Sequence, residues 1–254
     1  MPTRILGVIP ARFASSRFPG KALAPLAGKP VLQHVYERAS QARYLSKLII
    51  ATDDDRIAKA ARSFGAQVQM TRSDHLSGTD RVAEVASSEH AHVIVNIQGD
   101  EPLIDPGAID AAALALLDDP DLPMATLKKR IEIPSEVDNP NVVKVVSNLA
   151  GDAVYFSRCA IPYIRDAGPY VRDGSHSGIV HFKHIGLYVY RREFLLAYSG
   201  LPVGPLEQAE RLEQLRAIEN GYRIRVVETE YESLGVDTPE DLERIAALFE
   251  PSLK

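Results

Sequence analysis

Ile5-Leu-Gly-Val-Ile9, continuing into Pro10-Ala-Arg-Phe-Ala-Ser-Ser-Arg-Phe-Pro-Gly-Lys21, sets an apolar run against a loop that carries three cations, Arg12, Arg17 and Lys21. The run reads as a buried strand, and Pro10, Pro19 and Gly20 break any helix that would compete with the loop. Cations and inward-pointing backbone amides at a strand end make a place to hold a polyphosphate. A solvated basic turn is the alternative reading of so short a motif. The loop is not a Walker A sequence: Ala22 follows Gly20-Lys21 where a Ser or Thr would be needed, and no glycine stands at the required upstream position. A P-loop ATPase is therefore disfavoured.

Outward from this loop, short apolar strands alternate with amphipathic helices: 47–52 then 56–64, and 93–97 then 107–117. This alternation predicts βαβ units and an α/β fold, with a largely parallel, Rossmann-like sheet flanked by helices. Ligands of such sheets gather beyond the carboxyl ends of the strands. The basic loop, Thr52-Asp-Asp-Asp55, Asp74-His-Leu-Ser-Gly-Thr-Asp-Arg81 and Gln98-Gly-Asp-Glu-Pro102 all follow strands and are expected to share one rim. Over 139–190 the pattern changes to strand-like pieces, notably 142–147, 154–157 and 183–191. It predicts an inserted smaller β layer for an acceptor pocket or dimer contacts, within a single domain spanning 1–254. Asp166 to Ser177, rich in Gly, Asp and Ser, reads as a loop or hairpin tip. Helical periodicity returns over 206–220 with Gly221 as its stop, and 223–228 reads as the last strand. Thr238-Pro-Glu-Asp241 fits a capped helix start.

With 254 residues, 45% of them hydrophobic, the chain can bury a proper core. Its net charge of −5 makes the basic loop a local feature and argues against nucleic-acid binding. No apolar run reaches the length of a membrane span, and Met1-Pro-Thr-Arg4 lacks the apolar stretch of a signal peptide. A cytoplasmic protein without membrane insertion is expected. The one cysteine, Cys159, excludes an intramolecular disulfide and a Cys-based zinc site, and reads as a packed small hydrophobe.

Asp100 follows an apolar strand, and Gln98-Gly99 lets the chain turn so that its carboxylate faces outward. Opposite a phosphate loop that is a good Mg²⁺ position, because this ion binds through one or two carboxylates plus substrate phosphates. A helix-capping carboxylate is the alternative. Asp237, just before the Thr238 cap, is open to the same two readings, metal ligand or helix-start acid. His184 and Tyr188, four apart, share a strand face and suit a polyhydroxylated or carboxylated ligand, or else a partly buried structural role. Glu213 and Gln214 fall in the 206–220 helical pattern, where a solvated face is the plainer reading. Arg158 suits a bidentate carboxylate contact or a surface ion pair.

Taken in order, several segments resemble the 3-deoxy-manno-octulosonate cytidylyltransferase family over nearly the whole chain. They are the basic loop to Lys21, Ser77-Gly-Thr-Asp-Arg81, Asn96-Ile-Gln-Gly-Asp-Glu-Pro102, Asn139-Pro-Asn-Val-Val-Lys-Val-Val146, Phe156-Ser-Arg158, His184-Ile-Gly-Leu-Tyr188, Leu212-Glu-Gln-Leu-Arg216 and Gly235-Val-Asp-Thr-Pro-Glu-Asp-Leu242. The resemblance implies a nucleotidyltransferase sheet and transfer of CMP from CTP to the anomeric hydroxyl of the acidic sugar Kdo. Pyrophosphate would be released, Mg²⁺ required, and the product would feed lipopolysaccharide synthesis. It implies Arg12, Arg17 and Lys21 on the triphosphate, and Ser77, Gly78 and Arg81 in the CTP pocket. Asp100 and Asp237 would hold the metal, and Lys21, Arg17, Asp100 and Asp237 would carry catalysis. Arg158, His184, Tyr188, Glu213 and Gln214 would surround Kdo, in a homodimer. The alternatives are a cytidylyltransferase for another acidic sugar, such as an amino-substituted Kdo or a sialic acid, and a non-catalytic nucleotide-binding regulator.

Overall fold

In the computed structural model, which describes residues 3–15, 17–165 and 180–249, the first apolar run forms β1 (Ile5–Ala11). Lys21–Leu23 make a 3-10 turn, and β2 (Pro25–Leu26) and β3 (Lys29–Pro30) pair as a short hairpin. The alternation then runs α1 (Val31–Ala39), β4 (Lys47–Thr52), α2 (Asp55–Ser63), β5 (Gln67–Met70), α3 (Gly78–Ser88), β6 (Val93–Asn96) and α4 (Pro106–Asp118). Next come β7 (Met124–Arg130), the single turn α5 (Ser135–Asp138), the hairpin of β8 (Lys144–Ser147) and β9 (Ala153–Ser157), and β10 (Phe182–Arg191). The described chain closes with α6 (Arg192–Tyr198), α7 (Pro205–Glu210), α8 (Leu215–Glu219), β11 (Ile224–Glu228) and α9 (Pro239–Ala246).

The main sheet runs β11-β7-β10-β6-β1-β4-β5. β1 pairs parallel with β4 on one side and β6 on the other, β5 is parallel to β4, and β11 to β7. Only β10 along this path is reversed against both neighbours. After β1 the chain winds to one side through β4 and β5 and then crosses to β6, so the switch point lies between β1 and β6. One apolar layer, including Ile9, Leu32, Ile50, Val95 and Ile109, lies under α1, α2 and α4. The other, with Val8, Ile49, Val82, Ile94, Tyr190 and Leu215, lies under α3, α6 and α8. Each such large side chain taken out of water contributes roughly 1.5–3 kcal/mol.

Three expectations need correction. β10 was expected in the inserted layer, yet it runs through the main sheet; the β8–β9 hairpin is the smaller piece and joins β10 through Lys183 and Lys144. The reason is two-sided burial: Ile185, Leu187 and Val189 enter one apolar layer and Tyr188 and Tyr190 the other, as a central strand requires. The 206–220 helix is two helices. Arg211, with φ of 54°, breaks it, and Arg158 Nε donates at 2.7 Å to the Glu210 carbonyl that the break frees; the break turns α8 back so that its Glu219 accepts Leu206 N and Glu207 N, the unpaired first amides of α7, at 2.8 and 3.0 Å. Cys159 is exposed rather than packed. The Asp166 to Ser177 loop lies outside the described residues. No helix among the described residues is long and apolar enough to cross a membrane.

Candidate active site

The basic loop leaves β1 at the switch point and is anchored at both ends of its turn. Gly20 N donates to Phe13 O at 2.9 Å, Gly20 takes φ of 75° to start the 3-10 turn, and the Arg56 guanidinium lies 3.3 Å over the Phe13 ring. The left-handed backbone at residue 20 is the conformation glycine adopts without strain. Across the crevice, β6 ends in a turn where a side chain on Gly99 would put its Cβ 2.8 Å from the Pro10 carbonyl oxygen. Only glycine lets this turn close on β1, and the closure sets Asp100 beside the loop.

Lys21 Nζ donates to Asp100 Oδ2 at 2.5 Å and to Asp237 Oδ1 at 2.9 Å, and Arg17 Nη2 lies 2.9 Å from Asp237 Oδ2. Val236 N donates to Asp100 O at 2.8 Å, which ties the two acidic segments together through the backbone. Burial alone would lower the Lys21 ammonium, but the charge and hydrogen bonds of Asp100 and Asp237 outweigh it and hold its pKa up. Burial alone would likewise raise Asp237, and the bonds and charges of Lys21 and Arg17 instead hold that carboxyl down. Asp237 does not serve α9: Thr238 Oγ1 accepts Asp241 N and the Asp241 carboxylate accepts Thr238 N, so the helix is capped without it.

A cavity of about 270 Å³ opens here, lined by Arg12, Arg17, Lys21, Asp100 and Asp237 on one side and by Ser77, Gly78 and Arg81 on the other. Arg12 is exposed and makes no hydrogen bond or ion pair among the described residues. The Ser77 hydroxyl is occupied: it accepts Asp80 N at 3.1 Å in a capping box. What α3 presents beside the cavity is its N-terminal backbone, the positive end of the helix. Arg81 is buried, paired with Asp53 at 3.2 Å and bonded to Thr71 Oγ1. His75, which the sequence did not single out, also lines the cavity with its ring against the Glu84 carboxylate. Among the described residues no three His, Cys, Asp or Glu side chains are arranged to hold a metal, so a cation here would rest on two carboxylates plus a ligand's oxygens.

Four of the five expected sugar contacts cluster together; none lines this cavity, but Gln98, which does, donates through Nε2 to Gly186 O at 3.1 Å, between His184 and Tyr188. The His184 and Tyr188 rings lie 5.4 Å apart, flanking the bulge in β10, and Tyr188 Oη donates to Gln214 Oε1 at 3.2 Å. Enclosure pushes the His184 imidazole down to about 3, so it is neutral, with Nε2 2.9 Å from Thr126 Oγ1. Glu213 and Gln214 are not on a solvated helix face; they sit in the break between α7 and α8. Burial raises the Glu213 carboxyl against a hydrogen bond from Thr79 of α3, and Gln214 Nε2 is buried without a partner among the described residues. Arg158 stands apart in its bonding: its guanidinium donates to the Glu210 and Pro140 carbonyls at 2.7 and 2.9 Å.

Sequence reasoning also passed over Glu101, buried beside Asp100 and accepting from Tyr231 Oη at 2.8 Å. Burial pushes its carboxyl from the ordinary 4.5 up to about 7. Folding therefore takes up a proton here between those values. The stability this supplies is full below 4.5 and lost as pH rises to about 7, an effect on the order of 3 kcal/mol. Glu101→Gln, which cannot ionise, is expected to lack that slope. Denaturant unfolding of both proteins should find the variant the more stable at about pH 8, with the difference shrinking toward about pH 5. Parallel stability curves would show that no proton is taken up at Glu101.

An open sheet that sets a cationic loop against two carboxylates at its switch point defines an α/β protein built for nucleotide phosphate chemistry. Residues 6–225 match the Cytidylyltransferase family. The chain is 69% identical to the 3-deoxy-manno-octulosonate cytidylyltransferase of Solibacter usitatus over 253 residues, covering 100% of this chain and 97% of that protein. It is 57% identical to the Geobacter sulfurreducens protein of the same name over 243 residues, covering 95% and 97%. A solved structure of CMP:2-keto-3-deoxy-manno-octonic acid synthetase complexed with CTP superposes with a TM-score of 0.91 at 46% identity, over 97% of this chain and 98% of that one. The chain belongs to the 3-deoxy-manno-octulosonate cytidylyltransferase family.

Proposed function

We propose that this protein transfers CMP from CTP to the anomeric hydroxyl of Kdo and releases pyrophosphate, supplying an activated sugar for lipopolysaccharide. The observation that carries the reading is the convergence of Arg12, Arg17 and Lys21 with Asp100 and Asp237 around one cavity. The nucleophile is a hydroxyl of the sugar, so no nucleophilic side chain is needed; the protein positions that hydroxyl in line with the α-phosphate and neutralises charge on the leaving oxygens. Arg12, Arg17 and Lys21 neutralise the triphosphate, and α3's first turn with Ser77, Gly78 and Arg81 walls the nucleotide. Asp100 and Asp237 hold Mg²⁺, a role that suits two hard oxygen donors already aimed at one cation, the Lys21 ammonium. When bound, Mg²⁺ polarises the α-phosphate and lowers the pKa of the attacking hydroxyl. His184, Tyr188, Glu213 and Gln214 receive the sugar with Arg158 at their margin. The unpartnered Gln214 Nε2 is a donor that a sugar oxygen satisfies.

The reading includes a cytoplasmic homodimer. Exposed Leu149 and Val154 and the edge of β9, which among the described residues pairs along its length with β8 alone, are the surface a second copy would cover.

Pyrophosphate release measured with CTP, Mg²⁺ and Kdo, each omitted in turn, tests the reaction. Release is expected only with all three, and release that is indifferent to Kdo, or equal with a sialic acid in its place, would overturn it. Gln214→Ala should lower kcat/KM for Kdo about 10-fold or more while CTP affinity stays near wild type. Loss of CTP binding in a folded Gln214→Ala protein would show that the donor and acceptor sides were divided wrongly.

A further inference from the structure

We infer that Lys21 is the resident cation of the nucleotide-free site: its ammonium occupies the position between Asp100 and Asp237 and gives it up only when a triphosphate draws it away, so that metal enters together with nucleotide. The inference rests on Asp100 and Asp237 being the metal's ligands.

The geometry is that of a site filled by its own side chain. Lys21 Nζ bonds both carboxylates, at 2.5 and 2.9 Å, while Arg17 covers the other oxygen of Asp237 at 2.9 Å. Val236 N, bonded to Asp100 O at 2.8 Å, holds the two acidic segments side by side and keeps both carboxylates within reach of one cation. A positive charge between them offsets their repulsion, and here it is Lys21. An incoming divalent ion would have to displace an ammonium that is already doubly bonded and 18% exposed. Mg²⁺ sheds its water reluctantly and normally binds with substrate phosphates as part of its shell. Alone it is a poor competitor. Lysine, in turn, is an unbranched stem with a compact, mobile charge. The 3-10 turn that carries it starts from Gly20 in the same cavity as Arg12 and Arg17. A triphosphate arriving on those arginines offers the ammonium a more highly charged partner a short swing away. Its departure exposes both carboxylates at the moment the metal's remaining ligands, the phosphate oxygens, are present. Metal and nucleotide binding are then coupled through one side chain, and the coupling is reciprocal.

The test is Mn²⁺ titration of the nucleotide-free full-length protein, followed by electron paramagnetic resonance, for wild type, Lys21→Met and Lys21→Arg. Wild type and Lys21→Arg should bind Mn²⁺ weakly, and Lys21→Met about 10-fold tighter or more, a gain of the size site coupling usually carries. The gain should vanish in Lys21→Met/Asp100→Asn. Circular dichroism checks folding, and Lys21→Gln supplies the same measurement should the Met variant not fold. Equal Mn²⁺ affinity of wild type and the folded Met or Gln variant would overturn the inference. So would a gain that survives loss of Asp100. The ligand assignment itself is judged separately: undiminished Mg²⁺-dependent pyrophosphate release by Asp100→Asn would sink that assignment, whereas its loss with no gain in Lys21→Met would sink the resident-cation role alone.

Discussion

Asp100→Asn should fold as wild type and lose turnover by about 100-fold or more, the scale on which a single transition-state electrostatic contact acts. The carboxamide keeps the volume and removes the charge. Folding should be spared because what holds this turn in place is backbone: Gly99 against the Pro10 carbonyl, and Asp100 O accepting from Val236 N. Lys21 keeps its 2.9 Å bond to Asp237, so the loop is not released. The measurement is pyrophosphate release at saturating CTP and Kdo across a Mg²⁺ series, beside thermal unfolding of the same protein. Near-wild-type turnover at saturating Mg²⁺ would remove Asp100 from the metal.

Asp237→Asn should behave in the same way, and for a reason the sequence left open. An acid just before a helix start has a second role available to it, but Thr238 and Asp241 already cap α9 and the Asp237 carboxylate turns to Lys21 and Arg17. Its pair with Arg17 is largely exposed, and such pairs contribute at most about 1 kcal/mol. A stability change below about 1 kcal/mol, with turnover down roughly 100-fold and more Mg²⁺ needed, is the expected outcome. Calorimetry and Mg²⁺-titrated pyrophosphate release on one preparation separate the two roles. A variant that is less stable yet fully active would return Asp237 to the helix.

What the chain shows in its own order is what is encoded within a few residues of itself. The first strand, the strand and helix pairs within 47–64 and 93–117, the Thr238–Asp241 capping box and the cations of the first loop rest on local periodicity, local turn chemistry and residue type, and the structure places each of these elements within a residue or two of its expected bounds, whereas α1, β5 and α3 were not read from the sequence. The ordered motifs of the family were legible in the same way. Tertiary structure alone decided the rest. Lys21 meets Asp237 across 216 positions of chain, a contact no window of sequence contains. The reversed, central place of β10 follows from apolar layers on both of its faces, and the break between α7 and α8 is supported by Arg158, far off in the chain, serving the freed Glu210 carbonyl. Glu101 owes its raised pKa to burial, which is a property of what surrounds a group and not of the residues beside it in the chain.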